Sequence, residues 1–168
     1  CLLLTIYSFS QVDLNLTLSS HPLYQSFQTK LTYLGYFNRP LSTTIYIGLI
    51  LLLATGYWLL VTAAKKKLIS QRQLWFLVII AVILLLFSYP AFSHDIFNYI
   101  FDARIVTKYG LSPWHYRALD FPADLWIRFM HWTHRLTPYP PFWIGLSLIP
   151  SFLGFGKFTL TLFLFKLL

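Results

Sequence analysis

Apolar residues fall in long blocks along this chain rather than in a strict alternation. Leu41–Ala64 and Leu74–Phe92 each reach the ~20 apolar residues that cross a bilayer as one helix. Thr43, Thr44 and Gly56 are tolerable inside the first, and Leu74–Phe87 carries no polar group except the indole of Trp75. Cys1–Phe9 is apolar but short, and it lacks the charged start and small-residue cleavage site of a signal peptide. It reads as the end of a truncated span, and the sequence as a piece of a longer protein. The last apolar stretch, Pro141–Leu168, is interrupted by Gly154, Gly156 and Lys157. It admits one span with a snorkelling lysine, or a short membrane helix, a turn at Gly154–Gly156 and the start of a further span. The second is favoured, because Gly-x-Gly-Lys is poor chemistry for mid-bilayer.

Three polar connections separate these blocks: residues 10–40, 65–73 and 93–140. Parity places the first and third on one side. The long connections hold more Lys and Arg in total, but the positive-inside rule weighs short loops near span ends. Lys65, Lys66, Lys67 and Arg72 crowd the short loop, so 65–73 is expected to be cytoplasmic and 93–140 extracytoplasmic. The expectation is a multi-pass protein of the cell membrane.

Composition sharpens this picture. Of 168 residues, 57% are hydrophobic and 11% charged, where a soluble domain carries about a quarter charged. That excludes an ordinary cytosolic enzyme and a disordered tail. The single Cys1 excludes a disulfide scaffold. The formal charge of +8 is no sign of nucleic-acid binding, because the positives flank apolar segments. The Asn15-Leu16-Thr17 sequon is too common a triplet to argue for glycosylation.

Candidate chemistry concentrates in 93–140. Asp95 follows a span directly, where a carboxylate is costly to desolvate and is a functional candidate. From Asp95 a helix is predicted to Tyr109, ended by Gly110. At 100° per residue, Asp95, Asn98 and Asp102 share one face, with Arg104 and Lys108 near the other. The bland alternative is an interfacial helix with solvated acids, capped by Ser93 or Asp95. In Leu111–Tyr116, Trp114 and Tyr116 offer faces for a sugar ring and His115 a donor, although an aromatic belt would look the same. Phe121–Leu136 is predicted as a second amphipathic surface helix. Leu125, Phe129, Trp132 and Leu136 line one side, and Asp124, Arg128, His131 and Arg135 repeat one residue earlier. His131 and His134 have no Cys or Glu nearby to complete a metal site, so they read as solvated or phosphate-facing, and no cofactor is indicated. Thr137-Pro-Tyr-Pro-Pro141 is a stiff return to the membrane that holds Tyr139, or simply a helix stop.

Phe92-Ser-His-Asp-Ile-Phe-Asn-Tyr99 with Arg104, then Leu-Ser-Pro-Trp114 and Tyr139-Pro-Pro141, resembles the GT-C membrane glycosyltransferases. The likeness is greatest to those that use polyprenol-phosphate mannose, and it covers roughly Ser88–Trp143. It implies an all-α integral membrane fold and a polyprenyl-phosphate sugar donor, with mannose as the sugar. A glycan, lipid or protein acceptor would be served on the extracytoplasmic face with inversion. It also implies that Asp95 is the general base, with Arg104, Arg117 and Arg128 as partners of the leaving phosphate. Asp102, Trp114, His115, His131 and Tyr139 are the remaining candidates for substrate binding. Trp114 stands where the family has Tyr, Ser112 where it has Asn or Asp, and no glycine precedes Arg104. A transporter or flippase of lipid-linked sugars and a non-catalytic assembly protein are the other classes weighed. The two expected spans carry no charge, which disfavours a transporter.

Overall fold

The computed structural model describes every residue except Asn15 and Thr17, so the sequon lies outside the described residues. Among those residues the chain is all helical, with no strand. It divides into two compact units, 1–91 and 92–168.

In the first unit, α1 (Leu2–Ser8) and a 3₁₀ turn (Phe9–Gln11) precede α2 (Pro22–Thr32), which runs on into a π turn, Tyr33–Phe37. The expected loop 10–40 is therefore half helical, begun by Pro22 at the first helical position. α3 (Arg39–Lys65) is 27 residues long and starts where the Asn38 side chain accepts the Leu41 N–H. At ~1.5 Å per residue this helix exceeds the ~30 Å of a hydrocarbon core. None of its most apolar 18-residue window is buried, so this face suits lipid. α4 (Gln71–Leu86) opens with a Ser70–Gln73 capping box but stops short of the expected Phe92. Pro90 cannot donate, the Ser88 hydroxyl bonds the Leu85 carbonyl at 2.6 Å, and the Tyr89 N–H bonds the Ser8 hydroxyl at 2.8 Å. With 16 residues, α4 is shorter than the predicted span. Tyr7 stacks on Tyr46 and shares a 2.9 Å hydrogen bond with Ser42, which ties α1 to α3.

The second unit is built around α5 (Asp95–Tyr109), ended by Gly110 in the left-handed region at φ 66°. α5 is no surface helix. Phe97, Ile100, Phe101, Ala103 and Ile105 are all buried, and α6 (Pro141–Leu153) and α7 (Phe158–Leu167) pack against it. A 2.8 Å hydrogen bond between Thr107 and Ser151 joins α5 to α6. The turn between α6 and α7 holds Gly156 at φ 70°, and any side chain on Gly154 would run into Thr161.

The amphipathic helix expected over Phe121–Leu136 does not form. The segment makes one 3₁₀ turn, Leu125–Phe129, and leaves it in extended backbone at Met130. Its periodic apolar residues Leu125, Trp132 and Leu136 are exposed, whereas Trp126, Ile127 and Met130 pack on the Phe101–Ile105–Ala118 cluster. Backbone groups that a helix would use internally bond elsewhere: Thr133 carbonyl accepts the Leu119 N–H, and the Thr137 N–H reaches the Pro113 carbonyl. Tertiary packing on α5 overrides the 3.6-residue period.

Candidate functional site

α5 offers two polar faces that serve different ends. On one, Asp124 is the hub of a buried network. Its Oδ2 accepts from Arg104 Nε at 2.7 Å, Lys108 Nζ at 2.9 Å and the Tyr109 hydroxyl at 2.6 Å, while Oδ1 accepts the Trp126 N–H at 3.1 Å. The Arg104 guanidinium also lies 3.7 Å from the centre of the Trp126 ring. Burial pushes the Asp124 carboxyl up, but donation from Arg104, Tyr109, Lys108 and the Trp126 N–H outweighs it and holds the group well below the usual carboxylate range. This face is structural, and the charge of Arg104 is engaged there by Asp124.

The other face carries Asp95, Asn98 and Asp102, and opposite it lies the Thr137–Pro141 turn. Asp95 is the first residue of α5 and is half-buried, its own N–H bonded to the Ser93 hydroxyl at 3.2 Å. Asp102 is only 7% exposed. Burial raises its carboxyl to about 6, against a smaller opposing effect of the hydrogen bond from Thr137. The Tyr139 ring meets Tyr99 edge-on at 4.6 Å, and Tyr99 in turn meets Trp143 edge-on at 5.0 Å. Burial raises the Tyr139 phenol, helped by Tyr99, Asp95 and Asp102. Asn98, Asp102, Thr137, Tyr139 and Arg135 line one small cleft of about 20 Å³.

Of the residues expected from the sequence, Asp102 and Tyr139 line this cleft, and Asp95 lies near enough to act on the Tyr139 phenol. Trp114 joins them indirectly, because its indole N–H bonds the Tyr139 carbonyl at 3.1 Å. His131 stacks on His94 with ring centres 3.9 Å apart, next to the start of α5. Apart from Asp102 and Tyr139, none of the expected residues lines the cleft itself. His115 is exposed and bonds Ser112, Arg117 pairs with Asp120 at 3.6 Å, and Arg128 is exposed at the end of the 3₁₀ turn. Arg135, whose guanidinium lies 4.2 Å from the Trp132 ring centre, and Thr137 also line the cleft, although the sequence suggests for them only a surface-helix face and a stiff turn. Thr137 immediately precedes the proline run and Arg135 lies three residues before Pro138, and that position was the available signal.

The raised Asp102 carboxyl makes stability depend on pH in a defined direction. An unfolded aspartate ionises near 3.8, while the folded one holds its proton to about 6. The native state binds the extra proton between these values, so stability falls as pH rises through that window and is flat above it. The expected loss is up to about 3 kcal/mol, and Asp102→Asn should abolish it. Chemical unfolding of both proteins at pH 4 and pH 7 checks this, and an identical pH dependence in the variant would refute it.

A family model for the N-terminal domain of alpha-(1->6)-mannopyranosyltransferase matches residues 3–168. No curated protein and no solved structure matches.

Proposed function

This chain belongs to the alpha-(1->6)-mannopyranosyltransferase N-terminal domain family, and from that premise we propose that it forms the reaction centre of a multi-pass GT-C-like membrane enzyme. The family makes it a glycosyltransferase that moves mannose. The proposed donor is polyprenyl-phosphate mannose, and the acceptor is a mannose-bearing glycan or glycolipid on the extracytoplasmic face. α3 crosses the bilayer, and the shorter apolar helices α4, α6 and α7 sit in the same membrane.

The observation that carries this reading is the cleft that Asp102, Arg135 and Tyr139 line against α5, with Asp95 near enough to raise the Tyr139 phenol, in a chain whose family transfers mannose. Asp95 takes the proton of the acceptor hydroxyl as its oxygen attacks the anomeric carbon. The bond from that carbon to the phosphate oxygen breaks, and the lipid phosphate leaves with the electron pair. Arg135 lines the cleft and supplies the positive charge that receives it. Arg104 does not suit that task, since Asp124 already holds it. Inversion that yields an α-linked product requires a β-linked donor. The full-length protein in liposomes should therefore consume β-linked polyprenyl-phosphate mannose and extend an α-1,6-linked mannooligosaccharide. Transfer from the α-linked donor instead, or from neither, would refute the proposed donor and mechanism.

A further inference from the structure

Asn98 lies on α5 one turn before Asp102, and it is 7% exposed, as Asp102 is. Its side-chain oxygen is buried without a hydrogen-bond partner. A buried acceptor left unmade costs on the order of 1–3 kcal/mol, so such groups need an explanation. The position of Asn98 supplies one, since the residue lines the cleft with Asp102, Thr137, Tyr139 and Arg135. The cleft, at about 20 Å³, holds one to two water-sized groups at ~10–15 Å³ each. It is too small for a sugar ring and large enough for the hydroxyl-bearing edge of one.

Two acceptors four residues apart on a helix face stand ~5–6 Å apart at Cβ. They call for a ligand with two adjacent donors, which a vicinal diol provides. Arg135 on the same cleft fits the phosphate bonded to a donor sugar, and so favours the donor ring over the acceptor. The geometry points to Asn98 and Asp102 as a specificity notch that reads two neighbouring hydroxyls of the donor sugar. Asn98 accepts from one and Asp102 from the other, with Thr137 orienting the Asp102 carboxyl and Tyr139, backed by Tyr99, walling the notch. The inference rests on the mannosyltransferase reading, whose base, Asp95, is a different residue.

A notch of this kind rejects a substrate that lacks the hydroxyl, because its acceptors are then left unpaired. With a series of monodeoxy polyprenyl-phosphate mannose donors, the wild type should use at least one analogue about 10²–10⁴-fold less well than mannose by kcat/KM. Asn98→Ala, first checked for unchanged thermal unfolding, should flatten that preference to within about tenfold, whereas Asn98→Asp, which keeps an acceptor, should retain it. If Asn98→Ala keeps the full wild-type preference for every hydroxyl, the notch does not exist. Should Asn98→Ala fail to fold, Asn98→Leu, close in volume and without an acceptor, serves in its place and is read in the same way. Binding of methyl mannoside, followed by ligand-observed NMR in detergent, separates this from the parent reading. Saturation that Asn98→Ala removes, without transfer by the wild type, would overturn the enzyme reading and leave the notch standing. Saturation that Asn98→Ala leaves unchanged would overturn the notch whatever the transfer assay shows.

Discussion

Asp95→Asn is expected to lower turnover by about 10²–10⁴-fold, the usual contribution of a positioned general base, with KM for the donor little changed. The size of the effect is what separates catalysis from helix architecture. Asp95 is the acidic residue of the first turn of α5, and a carboxylate there stabilises the helix by ~0.3–1 kcal/mol through the dipole. Asparagine is itself a good residue at a helix start, and the bond from the Asp95 N–H to the Ser93 hydroxyl does not involve the altered side chain. An Asp95 that served only the helix dipole would thus leave activity within a few-fold of wild type and move only the unfolding transition slightly. Initial rates in liposomes, alongside thermal unfolding, distinguish the two. Retained turnover would move the base to Asp102, whose carboxyl, raised to about 6 by burial, is still largely ionised at neutral pH.

Asp124→Ala should have the largest effect on stability, about 3–5 kcal/mol, the cost of removing one partner from a buried ion pair. The side chains of Asp124 and Arg104 are only 2% and 11% exposed, so truncation strands a guanidinium among apolar neighbours. It also removes acceptors from Lys108, Tyr109 and the Trp126 N–H at once. Asp124→Asn keeps an acceptor for Trp126 but not the charge, and should fall between the two. Because these donors hold the carboxyl far below the ordinary range, its contribution is present across pH 5–8 and is lost only as pH falls below the ordinary carboxylate range. Unfolding of detergent-solubilised protein measures this, and a change under ~1 kcal/mol for Asp124→Ala would contradict the network as described.

Much of this protein could be read along the chain. The spacing of apolar residues located α3, and the pairing of Asp95 with Gly110 bracketed α5, because caps are local chemistry that distant packing rarely overrides. Gly154, Gly156 and Lys157 marked the break between α6 and α7 for the same reason. The order of Ser-His-Asp95, Pro-Trp114 and Tyr139-Pro-Pro141 carried the family likeness that the match over residues 3–168 then bore out.

What the chain alone did not settle is which polar groups meet. Asp124 and Arg104 are 20 positions apart, and each looked like a surface charge, Arg104 even like a phosphate ligand. Only the collapse of Leu125–Phe129 onto α5 turns them into a buried pair. The same packing breaks the apparent periodicity of Phe121–Leu136 and brings Thr137 and Arg135 to the face of Asp102. Local signals determined the helices and their ends. Partners were decided by burial, which acts between residues distant in sequence and makes each buried charge find its donors or give up its charge.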